Sequence, residues 1–312
     1  MGFKNIQQEY DAARNRVAFR DLAERSILKF TGEDRVSFLH GMVTQDVKGL
    51  SENKADYTAV LNAKGGMIAD GKISRLSTCL LLDTESRLGA RVKETLEKFI
   101  IADDVEIEDG SQEFALLQLW GPESSLLVEQ IQGVKLAVKN PLGRLPRVDL
   151  LILSEDHDSV QEQILRQGAP LGLETLTPET AHILRIEEGI PLYGPEMNET
   201  TLPLEANLER AISYNKGCYI GQEVIARATF RGQVNWRLTG FTLEEPPGPL
   251  PLELRIEDRK VGWISSVAKS PAFQPWIALG YLHRNHFELG RAVPLAGGQA
   301  FATVQALPFN SG

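Results

Sequence analysis

The spacing of apolar and polar positions changes several times along the chain, and each spacing predicts an element. From Glu9 to Ala23 apolar residues recur at helical intervals, which predicts an amphipathic helix, and Ser26 to Phe30 then reads as a short strand ending at Thr31 and Gly32. A second helix is expected next. Glu33 and Asp34 suit its positive end, Val36, Phe38 and Leu39 supply its apolar positions, and Gly41 closes it before Thr44, Gln45 and Asp46. Tyr57 to Leu61 and Met67 to Leu76 read as paired strands around Asn62, Ala63, Lys64, Gly65 and Gly66, a loop length that suits a hairpin. Ser86 to Ile101 returns to helical spacing, and strands are expected over Val105 to Ile107, Phe114 to Trp120 and Val148 to Leu153. Thr177 can cap a helix that begins at Pro178, carries Glu179 in its first turn and runs through Arg185 and Glu187 to Gly189 and Pro191. This order is α+β, without regular βαβ alternation.

Near the C-terminus the pattern changes. The run Thr242 to Leu254 clusters Pro246, Pro247, Pro249 and Pro251 around Gly248, which marks a boundary or a long loop. Beyond it the short runs Lys260 to Ser265, Trp276 to Leu282, Ala292 to Leu295 and Phe301 to Leu307 predict a small β-barrel or sandwich. A chain of 312 residues has room for two domains. With 42% hydrophobic and 24% charged residues it reads as soluble. It lacks both an apolar run near the roughly 20 residues of a membrane span and, over Met1 to Phe30, the apolar core of a secretory signal, so a cytoplasmic location and no membrane role are expected.

The net charge of −9 opposes nonspecific attraction to nucleic acid, and no direct nucleic-acid partner is expected. Between Arg210 and Arg237 the sign reverses: Arg210, Lys216, Arg227, Arg231 and Arg237 stand against Glu223 alone. That segment is either an anion-binding surface or the solvated basic face of a helix. The two cysteines, Cys79 and Cys218, provide neither a disulfide framework nor a CxxC pair, and the five histidines are scattered, so no metal site is expected. Cys79 falls in an apolar, strand-like run, whereas Cys218 sits in KGCYIGQE, Lys216 to Glu223, with Gly217 and Gly221 on either side. A helix starting near Gly221, together with Lys216, would favour the Cys218 thiolate; the alternative is a structural cysteine at a turn. In the loop Leu61 to Gly71 the paired Gly65 and Gly66 allow close approach to the main chain. Asp70 on the following strand is either a pocket carboxylate or a solvent-facing one. Arg185, Glu187 and Glu188 are either surface ion pairs or the acceptors and donors of a cleft, where a carboxylate would suit an amino-pyrimidine edge and arginine an anionic tail.

Taken in order, EYDAARNRVAFRDL (Glu9 to Leu22), FTGEDRVSFLHGMVTQDV (Phe30 to Val47), LNAKGGMIADG, LRIEEGIPLYG (Leu184 to Gly194) and the terminal LPF (Leu307 to Phe309) resemble the YgfZ proteins, within the aminomethyltransferase-like group that includes the glycine-cleavage T-protein. KGCYIGQE resembles the signature that separates YgfZ proteins from true aminomethyltransferases. The resemblance implies a cloverleaf of two α+β folate-binding domains, interleaved over residues 1–234, and a C-terminal β-barrel over residues 235–312, around a channel that takes tetrahydrofolate or a derivative. Where aminomethyltransferases carry paired aspartates, this chain has Ala69 and Asp70, and Asp149 takes the acidic position in a stretch without the YTGE-like pattern. The implied catalytic residues are Cys218, Lys216 and Asp70. The implied folate contacts are Asp70, Asn62, Asp149, Arg185, Glu187, Tyr219, Gln222, Glu223 and Arg227. The implied function is folate-dependent assembly or repair of iron-sulfur enzymes, including a tRNA-modifying one, through transient contacts with client or assembly proteins. Its alternatives are a divergent aminomethyltransferase and a folate-binding module without catalysis.

Overall fold

The computed structural model describes residues 2–310 apart from Arg231, Gln233, Gln274, Pro275, Gly298 and Gln299, and apart from the side chains of residues 2–4. Arg231 of the basic segment thus lies outside the described residues.

The first helix, α1 (Gly2–Asn15), starts and stops earlier than its spacing predicts, because Val17, Ala18 and Phe19 leave the helix for a buried strand. That strand, β1 (Ala18–Asp21), pairs antiparallel with β7 (Phe114–Trp120), setting Ala18 opposite Trp120. Three residues later β2 (Arg25–Thr31) enters a different sheet, beside β5 (Leu80–Glu85) and β6 (Glu106–Asp109). The predicted helix follows as α2 (Arg35–Met42). The predicted hairpin is β3 (Lys54–Leu61) and β4 (Met67–Arg75), paired antiparallel with Ala59 opposite Asp70. Helix α3 (Ser86–Glu97) ends four residues before the predicted Ile101.

The N-terminal elements therefore form two interleaved sheets. One runs β3-β4-β5-β2-β6. The other runs β10-β1-β7-β9-β8, where β8 is Val134–Lys139, β9 is Arg147–Leu153 and β10 is the two-residue Glu174–Thr175, parallel to β1. Helices α4 (Ser124–Val128) and α5 (His157–Gly168) complete this half. Helix α6 (Pro178–Glu187) begins as the sequence predicts, with Thr177 Oγ1 accepting from the Thr180 amide at 3.3 Å. Helix α7 (Gln222–Phe230) follows KGCYIGQE.

The C-terminal strands, β11 (Trp236–Leu243), β12 (Leu252–Ile256), β13 (Arg259–Ala268), β14 (Trp276–His283), β15 (Ala292–Pro294) and β16 (Phe301–Gln305), form one sheet in the order β12-β13-β14-β11-β16-β15. A bridge between Leu254 and Leu295 brings its two edges together and nearly closes it. The proline-rich run is the loop from β11 to β12 inside this sheet. Tyr10 and Ala13 of α1, Ile183 and Ile186 of α6, and Ile277, Leu279 and Tyr281 of β14 share one apolar core, which fixes α6 between the N-terminal sheets and the barrel. Among the described residues no helix is long and apolar enough to cross a membrane.

Candidate functional site

Helix α6, the crossing from β1 to β2 and the facing strands of both N-terminal sheets enclose a cavity of about 540 Å³, within the size range of small-ligand sites. Asp70 stands on its wall, and the Tyr57 hydroxyl donates to Asp70 Oδ2 at 2.5 Å across the β3–β4 pair. Burial pushes the Asp70 carboxyl up, against the opposing pull of Arg25 and the Tyr57 hydrogen bond. Of the two sequence readings of Asp70, the structure supports the pocket carboxylate.

Lys72 is two residues further along β4 and lines the same cavity. Its Nζ meets Asp149 Oδ2 at 2.9 Å and Asp83 Oδ2 at 3.5 Å. Asp149 is only 2% exposed and also accepts from Asn140 Nδ2 at 2.8 Å and from Gln118 Nε2. Burial pushes Asp149 up, but Lys72 and Gln118 outweigh it and hold the carboxyl below its ordinary range. Asp149, expected as a folate contact, is fully committed behind the wall. It orients Lys72, Gln118 and Asn140, which do line the cavity. Trp120 Nε1 donates to Gln118 Oε1 at 2.5 Å, and the Arg147 guanidinium lies 4.7 Å over the Trp120 ring. Arg147 Nε is buried without a protein partner, an unspent donor on this wall.

From α6 come Arg185 and His182. Arg185 donates to Glu196 Oε2 at 3.1 Å, Ser266 Oγ at 2.7 Å and His182 Nδ1 at 3.2 Å. His182 Nε2 lies 3.3 Å from the Val267 carbonyl. A guanidinium only donates and a carbonyl only accepts, so His182 is neutral with its proton on Nε2. Burial pulls its pKa down in the same sense. Glu187, also expected as a folate contact, is corrected. Two residues beyond Arg185, it points to the other side of α6, fully buried, where it accepts from the Tyr10 hydroxyl at 2.9 Å and engages Arg14 and Ser270. It is not among the residues that line the cavity.

The remaining expected contacts gather elsewhere. Asn62, Tyr219, Gln222 and Glu223 line a separate cavity of about 710 Å³ between the hairpin tip, the end of α3 and the KGCYIGQE turn. The backbone that the double glycine admits is the chain's own, since a Cβ on Gly66 would lie 1.7 Å from the Glu199 carbonyl. Gly221, at φ +82°, leaves room only for the Asn62 carbonyl, 2.7 Å from where its Cβ would be. Lys216 is half-buried, and its Nζ donates to the carbonyls of His40, Val43 at 2.7 Å and Gln45 at 2.9 Å. It therefore caps the C-terminal end of α2, where the sequence had placed it beside the Cys218 sulfur. Cys218 is exposed, and α7 begins four residues beyond it. Arg227 pairs with Glu223 at 2.7 Å on the surface of α7. The basic segment does not form one helix face. Arg210 donates to the Pro141 carbonyl at 3.0 Å and Arg237 to Asn207 at 3.3 Å, both away from α7.

Six cationic side chains, Arg20, Arg25, Lys72, Arg87, Arg147 and Arg185, line the central cavity against the carboxylates of Glu24, Asp70 and Glu85. Five of the six are paired, Arg20 with Glu24, Arg25 with Asp83, Lys72 with Asp149, Arg87 with Glu85 and Arg185 with Glu196, so the cavity offers N–H donors rather than a large net positive charge. Fold and cavity together define an aminomethyltransferase-like protein. The GCVT N-terminal domain matches residues 2–141 and 148–216, and the glycine cleavage T-protein C-terminal barrel domain matches residues 237–310. The chain belongs to the glycine cleavage T-protein family. The aminomethyltransferase of Halalkalibacterium halodurans is 26% identical over 98% of this chain and 90% of its own length, and that of Caldanaerobacter subterraneus is 26% identical over 93% and 83%. The glycine cleavage system aminomethyltransferase T from Bartonella henselae has the same fold, with a TM-score of 0.84 over 98% of this chain and 89% of that one at 19% identity.

Proposed function

We propose that this chain binds tetrahydrofolate or a derivative in the central cavity and, as a YgfZ-type member of the family, serves the assembly or repair of iron-sulfur enzymes, with Cys218 as its reactive thiol. The observation that carries the folate reading is the donor and acceptor set of the cavity. Asp70 offers an acceptor to an amino-pyrimidine edge, Arg147 an unspent donor, and Arg20 and Arg87, each paired with a neighbouring carboxylate, their remaining N–H donors to an anionic tail. Bound there, a reduced folate would supply a nitrogen able to carry a one-carbon unit. The residue before Asp70 is Ala69, 1% exposed in the apolar core, where a second carboxylate would be a costly buried charge. With Asp70 alone of that pair, the chain suits folate binding better than methylamine transfer. The KGCYIGQE signature and the exposure of Cys218, outside the residues that line the cavity, support the maintenance role.

Calorimetry with tetrahydrofolate tests the first half. Binding that Asp70→Ala weakens about tenfold or more is expected. No binding at millimolar ligand, an affinity of only about 4 kcal/mol, removes folate from the account. Gene deletion followed by profiling of iron-sulfur enzyme activities tests the second half. Wild-type complementation should restore them and Cys218→Ala should not; full rescue by the variant leaves the thiol without a role. A divergent aminomethyltransferase is the second reading, favoured by the names of relatives that match this chain over nearly its whole length. Turnover of a methylamine-loaded lipoyl carrier would establish it.

A further inference from the structure

The cavity of about 710 Å³ beside the KGCYIGQE turn has an apolar wall drawn from separate parts of the chain: Leu61 and Ile68 of the β3–β4 hairpin, Phe99 just beyond α3, and Tyr219 and Ile220 of the turn. Apolar surface is also left uncovered there, since Phe99 is itself 43% exposed and Ile101, two residues on, 91%. The loop that carries them is fixed. Ile100 packs against the N-terminal apolar core, and the Phe99 and Ile100 amides donate to the Leu96 and Glu97 carbonyls at 3.0 Å and 3.1 Å. Asp104 is tied to the residues ahead of α2, its carbonyl accepting from the Asp34 amide at 3.1 Å, its carboxylate from the Glu33 amide at 3.1 Å, and its own amide donating to Asp34 Oδ2 at 2.9 Å. Apolar side chains displayed on a fixed loop mark a contact surface, because covering them removes apolar area from water without first ordering the chain. Charge then says what can cover them. From Glu94 to Asp109 seven carboxylates, all exposed, stand against Lys98 alone, and Lys98 is held by Glu94 at 2.9 Å. Two copies of this chain meeting through this face would set those carboxylates against each other, and an anionic bilayer would be repelled as well.

We infer that this face docks a partner protein through a segment that carries a large apolar side chain flanked by lysines or arginines. The apolar side chain enters the cavity beside Phe99, and the cations meet the carboxylates around Ile101. An apolar anchor in a pocket with a charged rim is how a contact gains both affinity and a choice of partner. The site also brings the partner to the thiol. Cys218 is exposed and directly precedes Tyr219 of the cavity wall, and consecutive Cα atoms are about 3.8 Å apart, so a docked segment lies beside the sulfur. That the partner is an iron-sulfur client or assembly protein rests on the reading above; the docking surface does not.

Short synthetic peptides with a cysteine, activated as its 2-pyridyl disulfide, beside a central phenylalanine test this on the full chain. One is flanked by lysines, a twin by glutamates, and a third keeps the lysines but has serine in place of the phenylalanine. The Cys218 thiolate attacks the peptide sulfur, one disulfide forms as the other breaks, and pyridine-2-thiolate leaves with the electron pair and takes up a proton, so its absorbance gives the rate. Docking raises the local concentration of the disulfide, and the lysine–phenylalanine peptide should react about tenfold faster than either of the others. Its lead over the glutamate twin should shrink at high salt. The variant Phe99→Ser, Ile101→Ser should lose the lead with an unchanged melting transition and an unchanged rate towards the 2-pyridyl disulfide of cysteamine, whereas Leu126→Ser, at an exposed position on α4, should keep it. Calorimetry with the unactivated peptides should rank them in the same order. Equal rates and affinities, a gain from lysine whatever the central residue, or a lead that survives in the double variant overturns the docking surface. A wild-type dimer that the double variant abolishes gives this face to a second copy and overturns it too. Loss of docking in the double variant together with full rescue of iron-sulfur activities in the deletion strain keeps the surface and removes the client from the reading above.

Discussion

Asp70 shows what a cavity carboxylate costs. Its pKa in the folded protein is raised above the ordinary 3.8, chiefly by burial, so across the window above 3.8 the native state holds more of this proton than the unfolded state does. Stability therefore falls as pH rises through that window. Asp70→Asn keeps the shape and removes the charge, and it should stabilise the protein by roughly 1 kcal/mol at pH 7, a gain that vanishes below 3.8, where Asp70 is protonated in both states. Urea midpoints at the two pH extremes measure it, and an unstabilised variant at neutral pH would mean that Arg25 and Tyr57 fully compensate the charge. Lys216 gives the opposite case, a charge used for structure. Three carbonyls at the end of α2 depend on its ammonium, so Lys216→Met should cost about 2 kcal/mol. The rate of Cys218 alkylation at neutral pH should stay as it is, and a changed rate would return Lys216 to the side of the sulfur. In either protein Cys79, 2% exposed, should react far more slowly than Cys218. The sequence carried the exposed thiol because glycines flank it. It could not carry the lysine's role, because the acceptors belong to residues 40–45.

Elements whose signals are local were legible, and those fixed by distant partners were not. The β3–β4 hairpin rests on its own loop, and α6 on Thr177 and Pro178, so both appear where the pattern predicts them. Strand β1 was read as helix because its partner, β7, lies about a hundred residues away, and the two-residue β10 has no signal apart from its pairing with β1. The start of α6 also has a long-range component. Glu9 of α1, 1% exposed, accepts from the Thr177 amide at 2.8 Å, the Thr177 hydroxyl at 2.7 Å and the Thr180 hydroxyl at 2.6 Å. Thr177→Ala removes the cap and one of the three donors to a buried carboxylate. A loss of about 1 to 2 kcal/mol is expected from the cap alone, and Thr177→Ser, which keeps the hydroxyl, should recover most of it in the same urea titration. A serine variant as unstable as the alanine variant would assign the effect to lost methyl packing.

At the scale of the molecule, the central cavity was only partly legible. Asp70 and Arg185 were singled out, whereas Tyr57, Lys72, Gln118, Trp120, Arg147 and His182 join them only after two sheets interleave. Beside the shared apolar core, α6 is tied to the barrel by Glu196, a residue no motif marks. Its side chain is fully buried, accepting from Arg185 at 3.1 Å, the Leu192 amide at 3.0 Å, Ser265 at 2.7 Å and Ser266 at 2.6 Å, while its carbonyl accepts from the Tyr281 hydroxyl at 2.9 Å. One carboxylate thus joins the cavity wall to β13, and the same residue's carbonyl reaches β14. Glu196→Ala leaves Arg185 as a buried cation without its counter-ion, a change that costs about 3 to 5 kcal/mol when such pairs are broken. Tryptophan positions allow the consequence to be read by region, since Trp120 lies in an N-terminal sheet and Trp236, Trp263 and Trp276 in the barrel sheet. In the wild type the shared core of α1, α6 and β14 should make a Trp120-only protein and a protein lacking only Trp120 unfold at the same urea concentration. With Glu196→Ala added, both midpoints should fall, and they should separate because the polar link between the regions is gone while each keeps its own apolar core. Midpoints that fall together would show that the apolar core alone couples the regions, and midpoints that do not move would show that Glu196 contributes nothing net to the fold.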